Sequence, residues 1–254
     1  MKKTVLAAII ASTVAAPAFA EDSLNPFADE KSGFYLGIGA GKSSYDAYED
    51  IDRSTKESLS NASKLIHNGG DNIQTQYGTK SSNESNLGKI FLGYRVNKYF
   101  GVELDYNKFS NADYKYNGSS KYNGIDGELN GKVTSKLKGI GVKAIGFYPL
   151  NRSIDLKASV GVMKWKINEK GSTNYSGVLK NEIIQDQFDL PDANGHSENK
   201  SGNSLTLGLG VNYNITNNVT FGLQWERIKD VGHKDLAFGE TDIDTYTLSA
   251  QYNF

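Results

Sequence analysis

The sequence predicts an all-β protein: one transmembrane, eight-stranded, antiparallel, up-and-down β-barrel with long extracellular loops. Three observations carry this prediction. Eight segments alternate apolar and polar side chains at period two, the spacing of a strand with two unlike faces. The intervals between them run long, short, long, short, long, short and moderate. Past the first 20 residues no segment is apolar enough to cross a membrane as a helix, so residence in a membrane requires a closed barrel, which satisfies its backbone groups internally.

Met1 to Ala20 reads as a secretory signal peptide: Lys2 and Lys3 form the charged region, Val5 to Val14 the apolar region, and Ala18-Phe19-Ala20 the cleavage site. The expected domains are therefore the signal peptide, 1–20, and one barrel domain, 21–254. Cleavage takes the formal charge from −1 to −3, because the two lysines leave and no acidic residue goes with them. There is no cysteine, which excludes disulfides and thiolate chemistry. The near-neutral mixture of charges gives no footprint for nucleic acid. Glycine is abundant at 27 and proline scarce at 4, a balance that suits many strands in close contact.

The first strand is expected over Gly33–Gly41, with Phe34, Leu36, Ile38 and Ala40 on one face and Tyr35 and glycines on the other. A polar segment to Ser85 follows. The second, Leu87–Val96, sets Ile90, Leu92, Tyr94 and Val96 against Lys89, Phe91, Gly93 and Arg95. The third, Phe100–Lys108, sets Phe100, Val102, Leu104 and Tyr106 against Gly101, Glu103, Asp105 and Asn107. A segment rich in Asn, Gly, Ser and Tyr reaches Lys132. The fourth, Leu137–Tyr148, has Ile140, Val142, Ala144 and Tyr148 on its apolar face, and Ile145 and Phe147 break its alternation. The fifth, Ile154–Trp165, sets Leu156, Ala158, Val160 and Val162 against Asp155, Lys157, Ser159, Gly161 and Met163. After a polar run to Ser201, the sixth, Ser204–Ile215, sets Leu205, Leu207, Leu209 and Val211 against Thr206, Gly208, Gly210 and Asn212. The seventh, Val219–Ile228, sets Phe221, Leu223 and Trp225 against Thr220, Gly222, Gln224 and Glu226. The last, Tyr246–Phe254, carries Tyr246, Leu248, Ala250, Tyr252 and Phe254 on one face.

Register supplies an internal check. A short turn that keeps apolar side chains on one face must hold an odd number of residues between same-face partners. Val96 to Phe100, Tyr148 to Ile154 and Ile215 to Val219 all satisfy this parity. The polar face then decides which side is the interior. It carries Lys89, Arg95, Glu103, Asp105, Lys143, Asp155, Lys157 and Glu226, four basic and four acidic, with glycines between them. A soluble barrel would point these charges at water and leave glycines covering its surface. In a lipid-facing barrel the glycines make room inside a narrow lumen for long charged side chains. Equal numbers of both signs suit a desolvated interior, since an unpaired buried charge is costly. A plugged lumen is expected. Aromatic residues gather near strand ends, with Tyr94, Tyr99, Phe100, Tyr148, Tyr213, Tyr252 and Phe254 towards one boundary and Tyr106, Trp225 and Tyr246 towards the other, as two girdles.

The run Gly33-Phe-Tyr-Leu-Gly-Ile-Gly-Ala-Gly41, Gly93-Tyr94 with a short turn and Gly101-Val-Glu-Leu-Asp-Tyr106, and the Tyr252-Asn-Phe254 end carry a resemblance. The chain resembles the small eight-stranded bacterial outer-membrane barrels of the outer-membrane protein X, Ail, opacity-protein and outer-membrane protein A membrane-domain type. The resemblance implies a bacterial cell outer-membrane location. It also implies that Tyr246, Leu248, Tyr252 and Phe254 belong to the signal read by the barrel-assembly machinery, although that signal usually has Gly where this chain has Ser249. It implies contact with outer-membrane lipid and lipopolysaccharide. No peptidoglycan-binding domain of the outer-membrane protein A type follows the barrel pattern, so wall anchoring is not expected.

Some barrels of this kind are lipid- or peptide-modifying enzymes, and their chemistry needs a His paired with Ser or Asp at the rim. His67, His196 and His233 all fall in expected outer loops, and no triad, metal-ligand spacing or phosphate loop is found. No catalytic residue, metal or cofactor is expected. Two loops carry amphipathic stretches. In the first, Ser54-Thr-Lys-Glu57 is a capping box before Leu59, Ala62, Leu65 and Ile66, with Gly69-Gly70 as the stop. In the third, Val178, Leu179, Ile183, Ile184 and Phe188 precede Pro191. The expected function is a non-enzymatic surface protein, structural and adhesive, meeting a host or extracellular ligand through its outer loops. A narrow porin-like channel for ions or small solutes is the alternative, and a barrel enzyme comes third.

Overall fold

The computed structural model describes residues 32–45, 74–81, 84–122, 125–177, 195–234, 236 and 239–254. Their strands are β1 (Gly33–Tyr45), β2 (Gln74–Ser81), β3 (Glu84–Arg95), β4 (Phe100–Phe109), β5 (Ala112–Tyr122), β6 (Ile125–Pro149), β7 (Ile154–Gly177), β8 (His196–Asn214), β9 (Val219–Gly232) and β10 (Glu240–Asn253). All pairings are antiparallel. The ring runs β1-β3-β4-β6-β7-β8-β9-β10 and closes where β1 meets β10, from Tyr35 opposite Asn253 to Tyr45 opposite Ile243. Eight strands therefore form the barrel, in up-and-down order. No helix of the described residues is long and apolar enough to cross a membrane; the strands provide the crossing.

Side-chain parity follows the sequence pattern. Leu36, Ile38, Leu92, Leu104, Val142, Val160, Leu223 and Leu248 point out and are exposed, while the odd-numbered residues of β1, β3, β4, β6 and β7 point in. Neighbouring outward rings meet across strands, as Phe34 and Tyr94 do at 4.8 Å between centroids.

Three short turns share one design. Val96 N–H donates to the Phe100 carbonyl at 2.9 Å, Leu150 to Ile154 at 2.8 Å, and Ile215 to Val219 at 2.9 Å. In each, the next side chain accepts two backbone N–H bonds: Asn97 from Tyr99 and Phe100, Asn151 from Ser153 and Ile154, Thr216 from Asn218 and Val219. The pattern apolar, Asn or Thr, two residues, apolar is thus a turn with its own mechanism.

The structure differs from the sequence reading in three places. The segments read as polar loops contain β2 and β5, and β6 and β7 run to 25 and 24 residues. β5 pairs with the first half of β6, which also pairs with the last third of β7, and β2 adds to β5. A sheet of β2, β5, β6, β7 and β8 thus rises beyond the barrel at its long-loop end. Such strands lack a lipid-facing side, so they lack the apolar alternation that reveals the barrel strands. Second, Ile145 and Phe147 do not break the alternation; they are inward residues that happen to be apolar. Phe147 lies under the Arg95 guanidinium at 4.1 Å. Third, β9 carries a bulge. Asp230 sits at φ 50°, and Ile228 and Val231 both face inward although they are three residues apart. The signal peptide and the two amphipathic loop stretches lie outside the described residues.

Candidate functional site

The lumen is filled in layers. At the short-turn end Arg95 on β3 pairs with Asp155 on β7 at 3.1 Å and donates to the Lys98 carbonyl at 2.8 Å. Asn214 Nδ2 donates to the same Asp155 carboxylate at 3.2 Å and accepts from Thr220 at 2.8 Å. A recess of about 240 Å³ opens below this layer, bounded in part by Tyr35, Arg95, Phe147 and Asn253.

The middle layer holds three cations and three anions. Lys89 Nζ lies 3.3 Å from Glu103 and 3.3 Å from Asp105. Lys157 reaches Glu103 at 2.9 Å. Lys143, only 1 % exposed, bridges Asp105 and Glu226, so a strand on one wall is tied to β9 on the opposite wall. Neutral donors complete the layer: Tyr35 to Glu103 at 3.1 Å, Asn107 to Asp105 at 2.9 Å and Gln224 to Glu226 at 3.1 Å. Charges this deep persist because each is matched and hydrogen-bonded. Glycines make the room. A Cβ on Gly161 would stand 2.6 Å from Lys143 Cγ, one on Gly141 2.4 Å from Asp105 Oδ1, and one on Gly93 2.0 Å from the Tyr35 ring.

Above the charges lies an apolar layer that the sequence reading missed. Leu87, Phe109, Leu137, Met163, Trp165, Ile167, Ile228 and Ile243 pack together inside the barrel, with Met163 and Ile243 fully buried. Trp165 Nε1 donates to Ser204 Oγ at 2.9 Å, which donates to the Asp230 carbonyl at 3.1 Å. A cavity of about 40 Å³ remains beside Tyr45, Leu137 and Val231. The signal was present: continuing the inward parity past Lys89, Gly139 and Glu226 lands on Leu87, Leu137 and Ile228. An apolar inward residue near a strand end reads as irregularity until its neighbours are known.

The outer surface near the long-loop end of β9 and β10 carries a compensated charge group. Arg227 grips Asp244 with two bonds, 2.8 and 2.6 Å, and Trp225 Nε1 donates to Asp244 at 3.2 Å. Asp242 pairs with Lys229 at 3.0 Å and accepts the Asp230 backbone N–H at 3.0 Å. Partial burial pushes the Asp242 carboxyl up, but the Asp230 N–H and the Lys229 ammonium outweigh it and hold it below the ordinary carboxylate range. His233 stands in the turn after β9, where its carbonyl accepts the Leu236 N–H at 2.9 Å. Glu226, at the barrel end of the same strand, is inside the lumen with Lys143. His196 begins β8 opposite Gly171, and His67 lies outside the described residues. Tyr246, Leu248 and Tyr252 on β10 and Phe254 just past its end form one outward row, between 45 and 73 % exposed.

The family described as outer membrane protein beta-barrel domain matches residues 4–254. The chain belongs to this family. It is an outer-membrane β-barrel protein of the bacterial cell, set in lipid, with its short turns on the periplasmic side and its long loops outside. Outer membrane protein A of Yersinia pseudotuberculosis is 24% identical over 254 residues, covering 100% of this chain and 56% of that protein. Outer membrane protein A of Klebsiella pneumoniae is 24% identical over 188 residues, 73% of this chain and 45% of that protein. The barrel chain spans about half the length of these relatives. Among solved structures, neisserial surface protein A aligns with 14% identity over 88% of this chain and 98% of its own, TM-score 0.47. Ail of Yersinia pestis aligns with 15% identity over 88% and 99%, TM-score 0.40.

Proposed function

We propose that this protein is a non-conducting, non-enzymatic outer-membrane barrel that holds a β-sheet above the cell surface for adhesion or ligand contact. The observation that carries the reading is the lumen: a matched charge layer and an apolar layer lie in series between the two mouths. An ion crossing it must part buried salt bridges and then pass an uncharged, packed zone, and both steps are expensive. The sheet formed by β5, β2 and the outer parts of β6, β7 and β8 supports the second half of the reading, because recognition concentrates on elements projected by a rigid scaffold. In this reading residues 1–20 are the export signal and 21–254 one barrel domain. The outward row of Tyr246, Leu248, Tyr252 and Phe254 is what the assembly machinery reads, and the partner is a host or extracellular ligand. No cofactor is assigned.

The test is single-channel recording of the refolded chain in planar bilayers, after heat-modifiable gel migration has confirmed folding, alongside binding of the folded protein to host cells and matrix proteins. Silence in the bilayer with saturable binding is expected. A stable conductance that shifts when Lys143 or Glu103 is neutralised would replace this reading with a narrow channel.

A further inference from the structure

We propose that the recess at the short-turn mouth of the barrel is a binding site for a zwitterionic amino acid or dipeptide from the periplasm. The inference rests on the outer-membrane orientation above, which opens this mouth to the periplasm. The recess holds about 240 Å³. That is just under the roughly 300–1,000 Å³ typical of small-ligand sites, so its ligand is small. Closure assembles its walls from strands far apart in sequence: Tyr35 on β1, Arg95 at the end of β3, Phe147 on β6, Asn218 in the turn before β9, and Gln251 and Asn253 on β10. The buried charge layer lies above it, so the recess is blind.

Arg95 supplies the anion-binding end. A guanidinium carries five N–H groups in a fixed fork. Here Nε donates to the Asn97 carbonyl at 3.4 Å, Nη1 to Asp155 at 3.1 Å and Nη2 to the Lys98 carbonyl at 2.8 Å. One N–H on each terminal nitrogen therefore has no acceptor among the described residues, and a carboxylate accepts such a pair with both its oxygens. Asp155 divides one oxygen, Oδ2, between Arg95 and the Asn214 amide, which lies 3.2 Å away. The short turns add Lys98 and Arg152 and no acid, which gives this mouth a cationic excess. The β10 side supplies acceptors. Gln251 Nε2 donates to Asn253 Oδ1 at 2.9 Å, and Asn218 Nδ2 donates to the Asn253 carbonyl at 2.9 Å. Each bond turns an amide nitrogen towards protein and leaves its oxygen, Gln251 Oε1 or Asn218 Oδ1, without a donor among the described residues. Such oxygens accept from an ammonium and repel a second carboxylate. A cation on one side and bare acceptors on another complement the two charged ends of an amino acid. A simple anion would leave the acceptors unpaired. None of the described side chains that line the recess is acidic, and Tyr35 and Phe147 present rings to it, so the ligand's own side chain is uncharged.

The test uses the full refolded chain in phosphatidylcholine nanodiscs, with folding confirmed by gel migration. Calorimetry compares alanyl-leucine with its N-acetylated and its C-amidated forms. The parent dipeptide should bind saturably, and removing either charged end should weaken binding about ten-fold or more. Arg95→Gln should repeat the loss seen with the amide. Gln251→Met should weaken the parent dipeptide and leave the N-acetylated form unchanged, a split that a merely structural role would not produce. The three-ligand comparison on wild-type protein stands without any variant. No binding of the parent dipeptide, equal binding of all three forms, or undiminished binding by folded Arg95→Gln overturns the proposal. Acetate or sulfate competing as well as the dipeptide also overturns it, because the site would then take any anion. A conductance would undo the non-conducting reading and leave this site untouched.

Discussion

Replacing Lys143 with Met is the most demanding test of the lumen. Lys143 joins Asp105 on β4 and Glu226 on β9, and its side chain is fully buried. Its loss leaves the middle layer with Lys89 and Lys157 against Glu103, Asp105 and Glu226, one anion in excess. Lys89 lies 3.3 Å from Asp105 but 4.0 Å from Glu226, so Glu226 loses its close partner and keeps only a distant one. Two unit charges about 4 Å apart attract by about 4 kcal/mol at an effective dielectric near 20. Lys143 holds two such partners and is repelled by two neighbouring lysines, and orphaning a buried partner typically costs about 3–5 kcal/mol. Lys143→Met should therefore destabilise the barrel by about 4 kcal/mol. Adding Glu226→Gln restores the balance, and the double variant should be more stable than Lys143→Met alone, with a coupling of at least about 2 kcal/mol. The assay is urea unfolding in lipid vesicles, followed by the loss of heat-modifiable migration. A cost below about 1 kcal/mol, or strict additivity in the double variant, would mean that water already solvates this layer and that the lumen is not dry.

Three further outcomes follow from other parts of the molecule. Trp165→Ala should cost about 3–5 kcal/mol by leaving a void in the apolar layer and freeing Ser204, yet the variant should stay silent in planar bilayers, because the charge layer beneath still closes the lumen. Gly93→Ala should cost about 1–3 kcal/mol, since the new methyl group meets the Tyr35 ring; Tyr35→Leu in the same chain should suppress most of that loss, as read by the same unfolding assay. At the outer rim, Asp242 titrates below its ordinary 3.8 in the folded protein. Its bond to the Asp230 N–H is therefore complete at neutral pH and is lost as pH falls through the lowered value. The protection factor of the Asp230 amide should fall once pH drops below 3.8, and in Asp242→Asn that acid-dependent step should disappear.

Much of the barrel was legible because a membrane wall imposes period two on every strand that crosses it. Leu36, Leu92, Leu104 and Val142 face lipid, and the residues between them cannot. The short turns were legible for a similar reason: Asn97, Asn151 and Thr216 act on backbone groups two and three residues away, and parity across each turn is a local count. The outer sheet was not legible. Gln74–Ser81 and Ala112–Tyr122 are strands only because β6 runs past the barrel and leaves an edge to which they bond. In isolation their composition is that of a loop.

The amino-acid order alone determined which side chains share a face, and with it that the charged set and the glycines lie together on the face opposite the lipid. It could not say who pairs with whom. Lys143 meets Glu226 across 83 positions and Arg95 meets Asp155 across 60. Those contacts exist only after closure brings opposite walls together. Closure also decided that Leu87, Leu137, Trp165 and Ile228, each an isolated apolar residue near a strand end, form one packed layer. Period two is local, because it follows from the geometry of one strand in one environment; partners across a lumen follow from ring size, stagger and register, which no single strand contains.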